Sequence, residues 1–370
     1  MTSFRNLARV AALSALVTAT AAGQGIGGIL PTADGPPPTR AGTRGANWLH
    51  IPIGARAQAM GTAVGSSVVG STAWFWNPAG ASTIESFDLA VGRQNLYGDL
   101  GVKQTYMAVS FPMLGGAIGV AVNSLNVEDI PLTFEATPYG SASDGQFFTW
   151  NSVAASVGYA RRLTDRLDVG GSLKVVSEGI AQIKNRFISG DVGTQFRTGL
   201  FGLVLGGSLL TVGNAAHMDG PGLERNVNDN SVSREQSRFK LYTRPVDLPT
   251  TFRFSAGDDL LGSAESLLGR GSGKHTLFGE VDVNDAVDAA SQLGVGFEYG
   301  FKNMIFGRVG KRFYNDDRRA PGESSLKFGL SGGFGLRIPL NGHPFRFDYS
   351  YVAQGDLRDI QVFSLEFGGR

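Results

Sequence analysis

Residues that could carry catalysis or hold a metal are scattered along this chain. The four histidines, His50, His217, His275 and His343, show no ligand spacing, and neither HExxH nor GxSxG occurs. A lipase-like reaction needs a serine beside a histidine on one strand face, and His275 and His343 have no evident serine partner. Cysteine is absent, which removes disulfides and thiolate chemistry. We therefore predict a protein that is not an enzyme and has no metal or cofactor.

One glycine-rich run comes close to a phosphate-binding loop. Residues 269–276 contain Lys274, but Leu268 stands where the first glycine should be, and His275 separates Lys274 from Thr276. The backbone cradle and the adjacent hydroxyl that phosphates and magnesium need are both incomplete. The sequence therefore predicts no nucleotide binding.

A set of charged residues has a clearer pattern, because each lies on the polar face of a predicted strand. The set mixes signs, which favours ion pairs that brace an interior over a channel selective for one ion. Arg56 stands among alanines, and since a buried charge must be paired, we expect it to meet Asp348, Glu298 or Glu366. The predicted lumen charges are Asp168, Lys174, Arg253, Glu280, Asp282, Glu298, Arg337, Arg346, Asp348 and Glu366.

Strands of alternating polarity must position these charges. In residues 345–351, four aromatic residues alternate with Arg346, Asp348 and Ser350, which gives one apolar face and one polar face. In a soluble sandwich the apolar face would meet a second sheet. The pattern recurs in nearly every predicted strand and follows an export signal, so a barrel whose apolar face meets lipid is the better explanation.

The count of such strands is about fourteen, an even number as closure of a bacterial barrel requires. We predict an all-β fold, a transmembrane antiparallel β-barrel over residues 86–370. On one strand Phe328, Leu330 and Leu336 should face lipid, while Lys327 and Arg337 should face the lumen. The predicted strands are 87–96, 103–113, 116–126, 148–160, 167–177, 191–198, 202–212, 250–258, 275–284, 292–299, 302–313, 325–338, 344–353 and 359–368.

The connections between predicted strands fall into two classes. Short ones alternate with long polar ones, as periplasmic turns alternate with extracellular loops. The long ones are expected at 127–147, 178–190, 215–249 and 314–324. Residues 259–274 break the rule, because a periplasmic turn is expected there and the apolar spacing predicts a short helix.

The N-terminal region divides into three parts. Residues 1–23 have the layout of a signal peptide, with Arg5 and Arg9 before an apolar run and a small-residue cleavage site at 19–21 or 21–23. Residues 24–47 are rich in glycine and proline and are predicted to be a flexible periplasmic tail. Residues 48–85 are apolar without a period of two, so we expect them to be buried as a hatch inside the barrel lumen.

Two motifs in the hatch carry a resemblance to a known family. Residues 53–61 read IGARAQAMG, and residues 74–80 read WFWNPAG. GARxxxMG followed by WNPAG resembles the N-terminal signature of the PorV/PorQ outer-membrane barrels, which are similar to the FadL group of hydrophobic-compound transporters. The closing hairpin, 348–351 with 363–367, is also similar. The resemblance covers about Leu49 to the C-terminus and implies a porin-like barrel of 14 strands with an N-terminal hatch.

The candidate hatch residues come from these motifs. Asn77 precedes a proline and can cap its own turn, so 76–80 should be a fixed reversal between the hatch and the first strand. Direct contact between Asn77 and a ligand is the alternative. The hatch set is Arg56, Met60, Gly61, Trp74, Trp76, Asn77, Pro78 and Gly80.

The resemblance implies two functions on one fold, so the fold does not decide between them. PorV-like proteins act in type IX secretion and receive exported proteins, whereas FadL-like proteins let hydrophobic small molecules leave sideways through the wall. The GARxxxMG form favours the PorV type, which engages exported proteins or secretion-machinery components at its extracellular face. Passive transport of hydrophobic small molecules is the alternative. Both place the chain in the lipid of the bacterial outer membrane, and a net charge of +1 gives no footprint for nucleic acid.

Overall fold

The computed structural model describes most of the chain from Gly42 onwards. The predicted signal peptide, 1–23, and residues 24–41 of the predicted tail lie outside the described residues. So do Phe328 and Lys327. The described ranges are 42–98, 100–133, 146–227, 237–262, 266–269, 273–314, 329–340, 343–354 and 358–368.

Fourteen antiparallel strands form a closed barrel, in which the first strand pairs with the last. Two further strands, β8 and β9, form a separate hairpin within the connection between β7 and β10. The predicted fold class is thus confirmed. The strands are β1 Asp88–Leu96, β2 Val102–Met113, β3 Gly116–Pro131, β4 Phe147–Thr164, β5 Leu167–Ile180, β6 Ile183–Arg197, β7 Val204–Gly213, β8 Glu224–Val227, β9 Ser237–Lys240, β10 Thr251–Leu261, β11 His275–Ala286, β12 Gln292–Phe301, β13 Ile305–Tyr314, β14 Leu330–Leu340, β15 His343–Val352 and β16 Ile360–Gly368.

The period of two in the sequence corresponds to two faces of the wall. Leu330 and Leu336 on β14 are 45% and 38% exposed, whereas Ser331 between them is 2% exposed and faces the hatch. Arg337 alternates to the inner face, as predicted. The outer surface is therefore a band of exposed apolar side chains, as in barrels surrounded by lipid. Among the described residues, no helix is long and apolar enough to cross a membrane.

Two predicted connections are wrong. The predicted long loop over 178–190 is strand, because β5 and β6 continue to Ile180 and from Ile183 and pair across a tight turn at 181–182. Alternation is hidden there, since the outward residues Lys184 and Arg186 are as polar as the inward Asn185. The predicted helix within 259–274 does not begin at Asp259, because residues 259–261 belong to β10.

The two ends of the barrel differ. We call the end with the connections 114–115, 165–166 and 302–304 the turn rim, and the end with the connections 132–146 and 214–250 the loop rim. Short connections are periplasmic and long ones extracellular in barrels of this kind.

The hatch segment crosses the lumen from the loop rim to the turn rim. At the loop rim the Gly42 and Gly45 amides donate to the carbonyls of Asp288 (3.2 Å) and Asp247 (2.9 Å). At the turn rim the Ser71 amide donates to the Asp88 carboxylate at the start of β1 (2.7 Å). Residues 42–47 thus lie at the loop rim, which disagrees with a periplasmic tail ending at 47.

Candidate functional site: the hatch and the wall around it

Short helices shape the hatch. One α-helix, α1 (Ala55–Ala59), and three 3-10 helices at Asn47–His50, Ser71–Phe75 and Pro78–Thr83 fold into a compact, almost fully buried body. Small residues dominate these helices, so their backbones approach the barrel wall closely. α1 packs against β14 and β15, and the last 3-10 helix packs against β4, β5 and β6.

Glycines on the inner face of the wall receive this hatch. A Cβ atom added to Gly310 on β13 would overlap the backbone of Met60 and Gly61, and one on Gly170 would lie 2.5 Å from the Pro78 carbonyl carbon. The missing side chains let two backbones touch, which is one positional use of glycine in strands. The wall glycines at which a Cβ would overlap backbone or side-chain atoms of the hatch are Gly119, Gly158, Gly170, Gly193, Gly206, Gly257, Gly294, Gly296, Gly310 and Gly333.

Trp74 and Asn77 fix the hatch to the wall. The Trp74 ring lies against Gly119 and Gly158, and its indole N–H donates to Ser110 Oγ at 2.9 Å. The Asn77 side-chain oxygen, Oδ1, accepts from the Ala79 amide at 3.2 Å, so Asn77 caps its own turn.

The Asn77 side-chain amide has a further role. Its NH₂ group donates to the backbone oxygens of Gly65 (2.8 Å) in the hatch and Thr194 (2.9 Å) in β6. Asn77 is fully buried, and both amide hydrogens are used within the protein. These contacts match a structural role better than the alternative of ligand contact.

The other motif residues also belong to the hatch interior. Met60 is fully buried, and Gly61 has φ of +62° with no space for a Cβ against the Lys311 backbone at 2.6 Å. A Cβ on Gly80 would overlap the carbonyl oxygen of Val68. Trp76 donates its indole N–H to Ile53 O at 3.1 Å. GARxxxMG and WNPAG are thus packing and turn motifs of one buried body.

Arg56 is paired as predicted. Its guanidinium contacts Glu298 on β12 at 3.0 Å, and it also lies 3.3 Å from Ser67 Oγ. Arg308 on β13 bridges the same Glu298 and Asp348 on β15, at 2.5 Å to each. One hatch cation therefore joins an ion network that spans three strands of the wall.

The remaining predicted lumen charges also face inward. Arg253 pairs with Asp282 at 2.9 Å, donates to the Thr62 carbonyl in the hatch at 2.9 Å and lies over the Trp76 ring at 4.6 Å. Arg346 pairs with Glu366 at 3.1 Å. Arg337 donates to Asn303 at the turn rim at 3.3 Å. The set braces the hatch and is not one cluster.

Three small cavities follow the hatch from rim to rim. The one nearest the loop rim has a volume of about 70 Å³, the middle one about 30 Å³, and the one nearest the turn rim about 230 Å³. Ile53 and Trp76 line the first two, and Arg346 and Glu366 line the last two. An apolar cavity that holds benzene has about 150 Å³, so the hatch closes the lumen to a molecule of that size.

The wall has a defect beside the first cavity. Gly190 of β6 pairs with Val212 of β7 and Val192 pairs with Leu209, so Leu210 and Thr211 together face the single residue Asp191. Such a β-bulge interrupts the backbone ladder. Thr211 has φ of +60°, which is unusual for a β-branched residue.

The Asp191 side chain closes this defect. Its carboxylate accepts from the Thr211 amide (2.7 Å) and Ser172 Oγ (2.7 Å), and it pairs with Lys174 at 2.9 Å. Asp191 is 2% exposed. Side-chain bonds thus replace ladder bonds that the bulge removes.

Cavity and lipid-facing groove meet at this bulge. Lys174, Leu210 and Thr211 line the first cavity from inside. On the outside, an apolar groove of about 700 Å³ is lined by Asp191 and Leu209 together with residues of β4 and β5. The barrel wall, which the Asp191 side chain closes at the bulge, separates the cavity from the groove.

Sequence reasoning missed several of these residues. Asp191 and Arg308 lie on inner faces of predicted strands, so alternation could have found them. A chain of amides from Gln58 in α1 through Gln94 and Gln104 to Asn123 joins the hatch to β1, β2 and β3. Nothing in a local pattern marks it, because its members come from four separate elements.

Comparison with known proteins extends the fold assignment. No protein-family model and no curated protein matches the sequence. Among solved structures, the Pseudomonas putida toluene transporter TodX is 11% identical, with a TM-score of 0.53 over 86% of this chain and 98% of that chain. The monoaromatic hydrocarbon channel CymD is 11% identical, with a TM-score of 0.50 over 86% of this chain and 97% of that chain. The chain is therefore a closed, hatch-containing barrel with the fold of these channels.

Proposed function

We propose that this protein is a non-enzymatic outer-membrane channel that passes hydrophobic small molecules through its side wall. The wall defect at Asp191, with a cavity inside and an apolar groove outside, carries the proposal. Two proteins that share the fold are named as a toluene transporter and a monoaromatic hydrocarbon channel, which supports hydrophobic molecules as the substrate class. These observations favour passive transport of hydrophobic small molecules, the alternative in the sequence analysis, over a function in secretion.

The cavity sizes favour a sideways exit. A molecule that enters at the loop rim meets the 70 Å³ cavity first, and the middle cavity beyond it has only about 30 Å³. Passage to the turn rim requires the whole hatch to move, since its backbone lies directly against wall glycines. Passage through the wall would start at the bulge, where the β6–β7 ladder is already interrupted and the side-chain bonds of Asp191 replace it. The strained φ of Thr211 is consistent with such a site, because backbone strain clusters at functional positions.

Deleting Thr211 tests this exit. The deletion leaves Leu210 alone opposite Asp191, so a regular backbone ladder replaces the bulge. We expect intact cells that carry this variant to take up radiolabelled toluene no faster than cells without the protein. Deleting Leu163, at the irregular pairing of β4 and β5 near the turn rim, is the matched control and should keep uptake.

Two results would count against the proposal in different ways. Full uptake by the Thr211 deletion would show that the wall is not the exit. No uptake by the wild-type protein, with the barrel folded in the outer membrane, would reject transport of this class.

A PorV-type role in secretion is the second candidate, and the loop rim carries the observation for it. Phe239, Leu241 and Tyr242 in the loop between β7 and β10 are 55%, 50% and 90% exposed. Contiguous exposed apolar residues mark protein contacts.

A double variant separates the two functions. Phe239→Ser with Tyr242→Ser should leave toluene uptake unchanged under the transport proposal. Loss of co-purifying exported proteins from this variant, together with no uptake by the wild type, would establish the secretion function instead.

A further inference from the structure

A basic groove lies on the outside of the wall at the loop rim. It has a volume of about 740 Å³ and lies between the β5–β6 turn and residues 214–221. Lys184 and Arg186 of β6 line it, with Asn214 and His217 from the loop. Within the described part of the chain, neither the Lys184 ammonium nor the Arg186 guanidinium makes an ion pair or a side-chain hydrogen bond.

The outward residues along β6 show where the groove lies relative to the lipid bilayer. Outward residues of this strand include Phe196, Val192 and Ile188, which are 42%, 58% and 65% exposed. Phe196 to Ile188 spans roughly 27 Å along the strand, and with ordinary tilt this fills most of the band of about 25 Å that faces hydrocarbon. Arg186 and Lys184 are the next two outward positions. They therefore lie where lipid headgroups begin.

The charges in the groove favour an anion. Asp219 is the carboxylate that lines the groove, and Lys240 of β9 pairs with Asp219 at 2.5 Å. The hydrogen bond from Lys240 lowers the pKa of Asp219, so this carboxylate stays ionised and satisfied. Among the residues that the structure describes, no carboxylate pairs with Lys184 or Arg186. Arg and Lys side chains are the usual partners of phosphate, Arg as a fork and Lys as a point charge.

We propose that this groove binds the phosphate of a phosphorylated glycolipid in the outer leaflet. A lipid headgroup is favoured over a soluble anion because both cations point to the lipid side of the wall, directly beyond the apolar band. The exposed Gln182 lines the groove and adds a polar side chain for the sugar. The inference rests on the proposed outer-membrane location, but it needs no transport activity.

Native mass spectrometry of the purified, detergent-solubilised full barrel tests the site with diphosphoryl lipid A and fully dephosphorylated lipid A as probes. The variant Lys184→Gln with Arg186→Gln should retain diphosphoryl lipid A roughly 30-fold less than wild type, since each basic residue near a membrane surface contributes about a factor of five. Arg161→Gln with Lys302→Gln removes two exposed cations at the turn rim and should retain lipid like wild type. Heat-modifiable migration on gels identifies folded barrels, and Arg186→Gln alone serves if the double variant does not fold.

Three outcomes would overturn the site. Equal retention by wild type and the Lys184/Arg186 variant would show that these residues do not bind the lipid. Equal retention of dephosphorylated lipid A would assign binding to the acyl chains. Displacement of lipid A by millimolar inorganic phosphate would make the groove a free-anion site. Toluene uptake is measured separately, so failure of transport leaves this result readable.

Discussion

At the scale of single residues, glycines on the inner face of the barrel allow the hatch to lie directly against the wall. Glycine makes up 53 of the 370 residues, and its inward positions are where hatch atoms lie against the wall. Interiors packed at this density tolerate added volume poorly. The hatch is thus held by shape as well as by the ion pairs of Arg56 and Arg253.

Gly310 and Gly307 of β13 give a matched test of this fit. A methyl group at Gly310 meets the backbone of Met60 and Gly61, whereas nothing lies within 4 Å of a Cβ at the outward Gly307. We expect Gly310→Ala to destabilise the seated hatch by about 1–3 kcal/mol and to raise single-channel conductance in planar bilayers. Gly307→Ala should behave like wild type. Identical conductance of the two variants would show that the hatch is not held by this contact.

Arg308 and Arg56 share Glu298 but should differ in importance. The Arg308 side chain is 1% exposed and is the bridge to Asp348, so Arg308→Met leaves the buried Asp348 without its ion partner and Glu298 with Arg56 alone. Removing one member of a buried pair costs about 3–5 kcal/mol, and we expect that loss in urea unfolding from lipid vesicles. Arg56→Met should cost less, because Glu298 keeps Arg308. A larger loss for Arg56→Met would contradict this ranking.

At the scale of elements, the alternation of polarity predicted the strands where one face is apolar and the other polar. It failed where both faces of a strand are polar. All fourteen barrel strands were found, since each has one face toward the hatch and one toward the apolar exterior. The extensions of β5 and β6 were missed because Lys184 and Arg186 lie beyond the apolar band, where both faces are polar. Contacts of the hatch could not be predicted, because Asn77 and Thr194 are 117 positions apart and only the folded barrel brings them together.

The depth of a residue in the wall should set the cost of a charge on its outer face. Phe334 lies near the middle of β14 and Leu330 is its first residue, and both are 45% exposed on the lipid side. Phe334→Arg should therefore cost about 2–4 kcal/mol, and Leu330→Arg about 0–1 kcal/mol. Unfolding free energies in vesicles measure both, and equal costs would contradict a lipid-facing wall.

Ser331→Arg, on the inner face of β14, should be costly although that face is polar. Ser331 is 2% exposed, and its hydroxyl donates to Ala59 O at 3.2 Å in the hatch. The lumen is filled at this point, so an arginine there has to displace α1. Alternation predicts which face a residue occupies, and the hatch decides how much space that face has.

At the scale of the whole molecule, the hatch segment begins at one end of the barrel and finishes at the other. The chain is held at the loop rim by Asp288, Asp247 and Glu178, descends through the lumen, and enters β1 at the turn rim. With the loop rim outside the cell, Gly42 faces the extracellular side.

Single cysteines test this placement cleanly, because the chain has none of its own. Gly42 and Gly115 have φ of +71° and +70°, and nothing lies within 4 Å of a Cβ at either, so Gly42→Cys and Gly115→Cys differ chiefly in which rim they occupy. A membrane-impermeant maleimide should label Gly42→Cys on intact cells and Gly115→Cys only after lysis, since Gly115 lies in a turn-rim connection. Labelling of Gly115→Cys alone on intact cells would invert the barrel in the membrane. Labelling of neither before lysis would mean that the segment ahead of the hatch does not reach the loop rim in the cell.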